Sequence, residues 1–154
     1  MSDRYILVIA DDTKEMKVAL QYACARSKKT DRKIINATFI EPLDVLTTQG
    51  VQEIMKNEAR EEAELKLQKA SAIVKDATGL IPILQLREGK VIDELITLIE
   101  EEKDINVLVL AANVDEKGPN PIINALTIKE YSRLRIPVMI IPGNFSKEHI
   151  ALIT

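Results

Sequence analysis

Two acidic residues, Asp11 and Asp12, follow directly on a short apolar run from Tyr5 to Ala10 (YILVIA). Adjacent carboxylates in that position can hold a divalent cation or steer a polar ligand. They can equally divide plainer duties, one capping the next helix while the other faces water. A second polar constellation, Asn113, Asn120, Asn124 and Thr127, lies between the apolar runs Val107–Leu110 and Ile136–Ile141, in a stretch that also holds Lys117, Gly118, Pro119 and Pro121. A strand, a Gly/Pro/Asn-rich loop, an amphipathic helix and a second strand is the layout of a phosphate cradle at a sheet's carboxyl edge. The glycines that let backbone approach a phosphate are nearly all missing, and Pro119 and Pro121 remove N–H donors. The asparagines suit a polar ligand and suit ordinary turns as well. Such a loop points to binding or regulation more than to catalysis.

The other reactive side chains do not assemble into a catalytic set. His149 is the only histidine and falls in the terminal tail, while the lone Cys24 sits in an apolar helical pattern and reads as a buried structural thiol. No Ser-His-Asp or Cys-His arrangement and no metal-ligand spacing is present, so no catalytic residue, metal or cofactor is expected. A phosphoacceptor domain would also place paired acids after its first strand. Here the strand that should end in the acceptor Asp runs instead into Arg87 and Glu88.

Periodicity supplies the elements that would position these residues. Continuous apolar runs mark strands at Tyr5–Ala10, Ile34–Ile40, Ile81–Leu86, Ile105–Ala111 and Ile136–Ile141. Between them, helical spacing predicts helices from Lys14 to about Thr30 and from Val51 to Thr78. Two more follow, at Val91–Glu102 and Ile122–Leu134. Thr13 or Asp12 caps the first, and Gly79 closes the second. The long helix has an apolar stripe starting at Ile54 and a charged solvent face. Alternating strands and helices with right-handed crossovers give an α/β fold, a doubly wound five-stranded parallel sheet with helices on both faces.

With 154 residues, 46% hydrophobic and 29% charged, the chain is expected to form one folded domain over 1–143. The tail 144–154 is apolar enough to pack, and a partner subunit is one candidate surface for it. A net charge of −3 provides no basic surface for nucleic acid. The short first apolar run is neither a membrane span nor a signal segment, so a cytoplasmic setting is expected.

The chain resembles the universal stress protein family over roughly residues 3–143. Ile6–Thr13 is similar to the family's opening strand and its Asp-Gly-Ser, and Leu86–Ile96 is similar to the strand-Gly turn that leads into its third helix. Val107–Leu110 and Ile136–Ile141 match the last two strands, including a Pro-Val entry. The resemblance implies a Rossmann-like fold of the adenine nucleotide alpha hydrolase-like type, with strand order 3-2-1-4-5. Nucleotide-binding members carry a motif of three glycines and a hydroxyl residue between those strands. Counted back from Pro137, its positions fall on Ala111, Val114, Asn124 and Ala125, none of which fits. Val114 would fill the space glycine leaves for phosphate, and Ala125 lacks the hydroxyl. Asp11 matches the family Asp beside the adenosine, and Phe39 would crowd the adenine. With Asp12, Thr13 and Asn113 these residues form the expected remnant pocket. The resemblance thus implies a non-catalytic stress-response homodimer that does not bind ATP and has an unidentified protein or small-molecule partner. Its subunits would pair through Val138, Met139, Ile140 and Ile141. The alternative is an ATP or AMP switch with a divergent loop and at most slow hydrolysis.

Overall fold

A five-stranded parallel sheet with helices on both faces is the expected solution for this alternation of apolar runs and helical segments, and the computed structural model has that architecture. It describes residues 3–42, 47–115 and 120–154. The elements are β1 (Tyr5–Ile9), α1 (Lys14–Thr30), β2 (Lys33–Ile40), α2 (Gln49–Thr78), β3 (Ile83–Glu88) and α3 (Val91–Glu101). They continue with β4 (Ile105–Ala112), the short helix α4 (Pro121–Asn124), β5 (Val138–Pro142) and α5 (Lys147–Ile153). The strands pair in parallel in the order β3-β2-β1-β4-β5, as expected. Leu7 stands beside Ile35 on one side and Leu108 on the other.

Two cores flank the sheet. On one face Ile6, Val8, Ile34, Val107 and Val109 pack with Ala19, Leu20 and Ala23 of α1, and with Leu67, Ala70 and Val74 of α2. On the other, Leu7, Ile9, Ile35, Leu108 and Leu110 pack with Leu95, Leu98 and Ile99 of α3, and with Leu126. Burial of these side chains is the dominant favourable term in folding, roughly 1.5–3 kcal/mol for each large aliphatic residue.

The caps follow the local chemistry. Thr13 Oγ1 accepts from the Met16 N–H at 3.1 Å at the start of α1. Gly79 ends α2 at φ 76°, its N–H donating to the Lys75 carbonyl at 2.8 Å. The carboxyl end of α3 has no basic residue in its last turn. It is closed from outside by Arg135, whose Nη2 donates to the carbonyls of Ile99 (2.6 Å), Glu102 (3.0 Å) and Ile105 (3.2 Å).

Four elements differ from their sequence-based bounds. Pairing of β3 starts at Ile83 because Pro82 has no N–H to give the ladder, and Ile81 is left 74% exposed. Similarly, β5 starts after Pro137. The apolar stripe of α2 is buried only from Ala63 onward, and Ile54 is 59% exposed. A helix of 30 residues is about 45 Å long, whereas an eight-residue strand spans about 27 Å, so the sheet cannot cover it all. The expected helix at 122–134 is broken. After α4 the chain makes a π turn over Ala125–Lys129, with the Glu130 N–H on the Ala125 carbonyl at 2.8 Å, then a single 3-10 turn at Tyr131–Arg133. The β-branched Ile122, Ile123, Thr127 and Ile128 are poor helix formers, and within the π turn only Leu126 is buried to anchor a regular coil.

The tail folds as α5. Ile150 is buried in the core beside α1, and Leu152 is 86% exposed. Among the described residues no helix is long and apolar enough to cross a membrane.

Candidate functional site

The carboxyl ends of β1 and β4 lie side by side at the centre of the sheet, where the crossovers diverge and a crevice must open. A cleft of about 380 Å³ occupies that place. The chain beyond β1 supplies Asp11, Thr13 and Glu15, the end of β4 and the turn after it supply Ala111 and Asn113, and Asn120 closes the rim. The walls are apolar, formed by Ile9, Met16, Ala19, Val109, Ile122 and Ile123.

Asp11 is held by its own neighbour. Its Oδ1 accepts from the Thr13 N–H at 3.1 Å and from the Thr13 hydroxyl at 2.7 Å, while Thr13 caps α1. The two roles left open for the acid pair are therefore divided differently. Thr13 is the cap, Asp11 stays in the cleft, and Asp12 turns away. Asp12 adopts φ 59°, a left-handed conformation that Asp tolerates, and its carboxylate pairs with Lys69 of α2 at 3.1 Å.

The asparagines of the loop serve its shape. The Asn113 N–H donates to Asn120 Oδ1 at 2.7 Å, and Asn120 Nδ2 donates back to the Asn113 carbonyl at 3.4 Å. Asn113 Oδ1 accepts from the Asp115 N–H at 3.0 Å. Both side chains clip the ends of the loop, as turn residues do. Lys117, Gly118 and Pro119 lie outside the described residues.

Of the sequence-derived candidates, the cleft thus brings together Asp11, Thr13, Ala111 and Asn113. Asp12, Phe39, Val114, Asn124 and Ala125 are not part of its lining. Phe39 packs with the α3-side core. Val114 and Asn124 are exposed, and Ala125 borders a separate depression with Lys90 and Lys129. Thr127 is turned back on its own segment, donating to the Ile123 carbonyl at 2.7 Å.

Glu15 is the charged lining residue that sequence reasoning missed. Its place in the first turn of α1 reads as a helix-dipole acid. The signal that could have found it is Gly143, just after β5. A Cβ there would lie 2.7 Å from Glu15 Cγ and 2.5 Å from the Ala112 carbonyl oxygen, so only glycine lets Glu15 lie against the end of β5. The Gly143 N–H donates to that same carbonyl at 2.8 Å.

Burial pushes the Cys24 thiol up to about 11, with Lys28 pulling weakly the other way. His149 stacks on Phe145 with ring centroids 4.1 Å apart. Among the described residues no cluster of three or more His, Cys, Asp or Glu could hold a metal ion.

The sheet order and the cleft at its switch point define a Rossmann-like α/β protein with one central crevice. The universal stress protein family model matches residues 4–142, and the chain belongs to that family. Solved structures of similar fold include UspA from Lactobacillus plantarum, with TM-score 0.71 and 11% identity, covering 92% of this chain and 99% of that one. A universal stress family protein from Burkholderia pseudomallei has TM-score 0.69 and 20% identity, covering 90% and 95%. The universal stress protein from Archaeoglobus fulgidus in complex with dAMP has TM-score 0.62 and 12% identity, covering 91% and 98%. None of the curated protein sequences is a significant match.

Proposed function

We propose that this chain is a non-catalytic, stress-responsive binding protein of the cytoplasm, homodimeric through β5, whose cleft does not hold the phosphates of ATP. The observation that carries this reading is the Asp11–Thr13 pair. The first N–H at the approach to α1 is already occupied by a carboxylate belonging to the chain itself, so an incoming phosphate would meet a fixed negative charge. The motif positions add to it, since Val114 and Asn124 stand outside the lining where a phosphate loop would converge. For the dimer, β5 is an edge strand whose Met139 and Ile140 are 37% and 40% exposed, an apolar edge suited to an isologous contact.

The rival is a nucleotide switch, favoured by the dAMP complex of the Archaeoglobus fulgidus protein of the same fold. Calorimetry with Mg-ATP and with AMP, together with assay of nucleotide released on denaturing the purified protein, separates the two. The proposal expects no heat and no released nucleotide. Micromolar affinity or a co-purified nucleotide would favour the switch. Size measurement at micromolar concentration tests the dimer, which a purely monomeric protein would refute.

A further inference from the structure

We infer that the trough between α1, α2 and α5 binds a single-chain amphiphile with an anionic head, of the class of a medium-chain fatty carboxylate. Lys17, Gln21, Cys24 and Lys28 recur at i, i+4, i+7 and i+11 of α1, so they form one stripe along that helix. The carboxyl-terminal part of α2 and the tail helix α5 stand beside the stripe, and the three helices border a trough of about 570 Å³. That volume lies within the range of sites for small organic ligands, roughly 300–1,000 Å³. The trough shares no lining residue with the crevice at the switch point, so the inference does not depend on what the crevice binds.

Its chemistry divides into an apolar bed and a cationic rim. Ile73 and Ala77 of α2, Ala25 of α1 and Ile150 of α5 supply apolar surface, and Cys24 lies at the floor, 2% exposed. Lys17, Lys28 and Lys147 line the same trough against a single acid, Asp76. The whole chain holds 24 acidic and 21 basic side chains, so the trough runs against the overall charge. Among the described residues none of the three lysines has a carboxylate within ion-pair distance. Lys28 lies close enough to the Cys24 thiol to pull against the effect of burial there, so its charge acts on the floor as well as at the rim. A carboxylate on an alkyl chain matches both parts. Its chain covers the apolar bed, and its head takes charge-assisted hydrogen bonds from ammonium groups whose own stems lie along that bed. Charge complementarity therefore selects the occupant. A neutral alcohol gains only the bed, and a cationic head is repelled.

Decanoate, decanol and decylammonium share one chain and differ in the charge of the head. Each is titrated into the full chain below its micelle-forming concentration, with binding read from the methyl signals of labelled alanines. Decanoate should shift Ala25, Ala77 and Ala151 and leave Ala111 of the crevice unmoved. Decanol should bind at least about tenfold more weakly, and decylammonium should not bind. Replacing the three lysines together (Lys17→Gln, Lys28→Gln, Lys147→Gln) should weaken decanoate by about tenfold or more and leave decanol unchanged. Ala77→Leu fills the trough without touching its charge and should weaken both. An unaltered melting temperature shows that each variant still folds. Decylammonium binding as well as decanoate, an affinity indifferent to the lysine substitutions, shifts centred on Ala111, or no decanoate binding would overturn the inference. So would alanine shifts that follow protein concentration without ligand, because a second copy would then cover the trough. Binding to phosphatidylglycerol vesicles without binding of free decanoate would assign the surface to a membrane and overturn it as well. Mg-ATP in the same titration tests the crevice separately, and its binding would sink the proposed function while leaving this inference standing.

Discussion

The Asp11 carboxylate accepts two hydrogen bonds from Thr13, one from its N–H at 3.1 Å and one from its hydroxyl at 2.7 Å. Thr13 in turn caps the Met16 N–H, so one threonine ties the end of β1, the cleft acid and the start of α1 together. Thr13→Ala removes both the cap and the restraint on Asp11. It should cost about 1 kcal/mol in urea unfolding. A loss near zero would mean that Asp11 takes over as cap.

Asp12 sits at φ 59° with its carboxylate on Lys69. The ion pair is partly exposed and contributes at most about 1 kcal/mol. Asp12→Gly should therefore stay within about 1 kcal/mol of the parent, since glycine adopts this backbone freely. Asp12→Val should lose about 2 kcal/mol, because a β-branched residue resists the left-handed region. Equal stability of the two variants would show that the local backbone relaxes out of that region.

Arg135 closes α3 by reaching three carbonyls from one nitrogen. Arg135→Ala should destabilise by about 1–2 kcal/mol, and Arg135→Lys should fall between, because an ammonium cannot reproduce the guanidinium's planar donor array. Hydrogen exchange at the last turn of α3 is the sharper readout. It should accelerate in the alanine variant ahead of exchange in β1.

Asn36 is fully buried on β2, and among the described residues neither atom of its amide has a hydrogen-bond partner. An unpaired buried amide costs stability that an apolar side chain of similar size does not. Asn36→Leu is expected to stabilise by about 1–2 kcal/mol in urea unfolding. A destabilised variant would instead reveal a bridging partner, such as an internal water.

Cys24 has its thiol pushed up to about 11 from 9.0 by burial. The folded state therefore keeps its proton where the unfolded chain has lost it, and stability falls as pH rises from about 9 to about 11. The loss is on the order of 3 kcal/mol. Cys24→Ala should flatten that part of the pH profile. At pH 8 the native thiol should react with iodoacetamide far more slowly than the urea-unfolded one, and equal rates would show that it is not buried.

The parallel sheet with helices on both faces was legible because it follows from the succession of apolar runs and helical segments and from right-handed connections, while the strand order came from the resemblance to the family. Asp11, Thr13, Ala111 and Asn113 could be placed at the carboxyl edge, since each closes a strand or follows one. Phe39 was not placeable. Strands buried on both faces are apolar throughout, so the pattern of β2 does not say whether Phe39 or Thr38 faces the α3-side core. Glu15, Met16, Ile122 and Ile123 escaped as lining residues because helix packing, not spacing along the chain, turns them into the crevice.

The sequence by itself determined a doubly wound sheet with a crevice between the ends of its first and fourth strands, and a loop stripped of phosphate-binding glycines. Those features are written in local periodicity and residue type. Only the tertiary structure decided that Asp12 leaves the crevice for Lys69 while Glu15 enters it beside Gly143. The charge of the cleft is a sum over side chains from separate elements, and it exists only once those elements have packed.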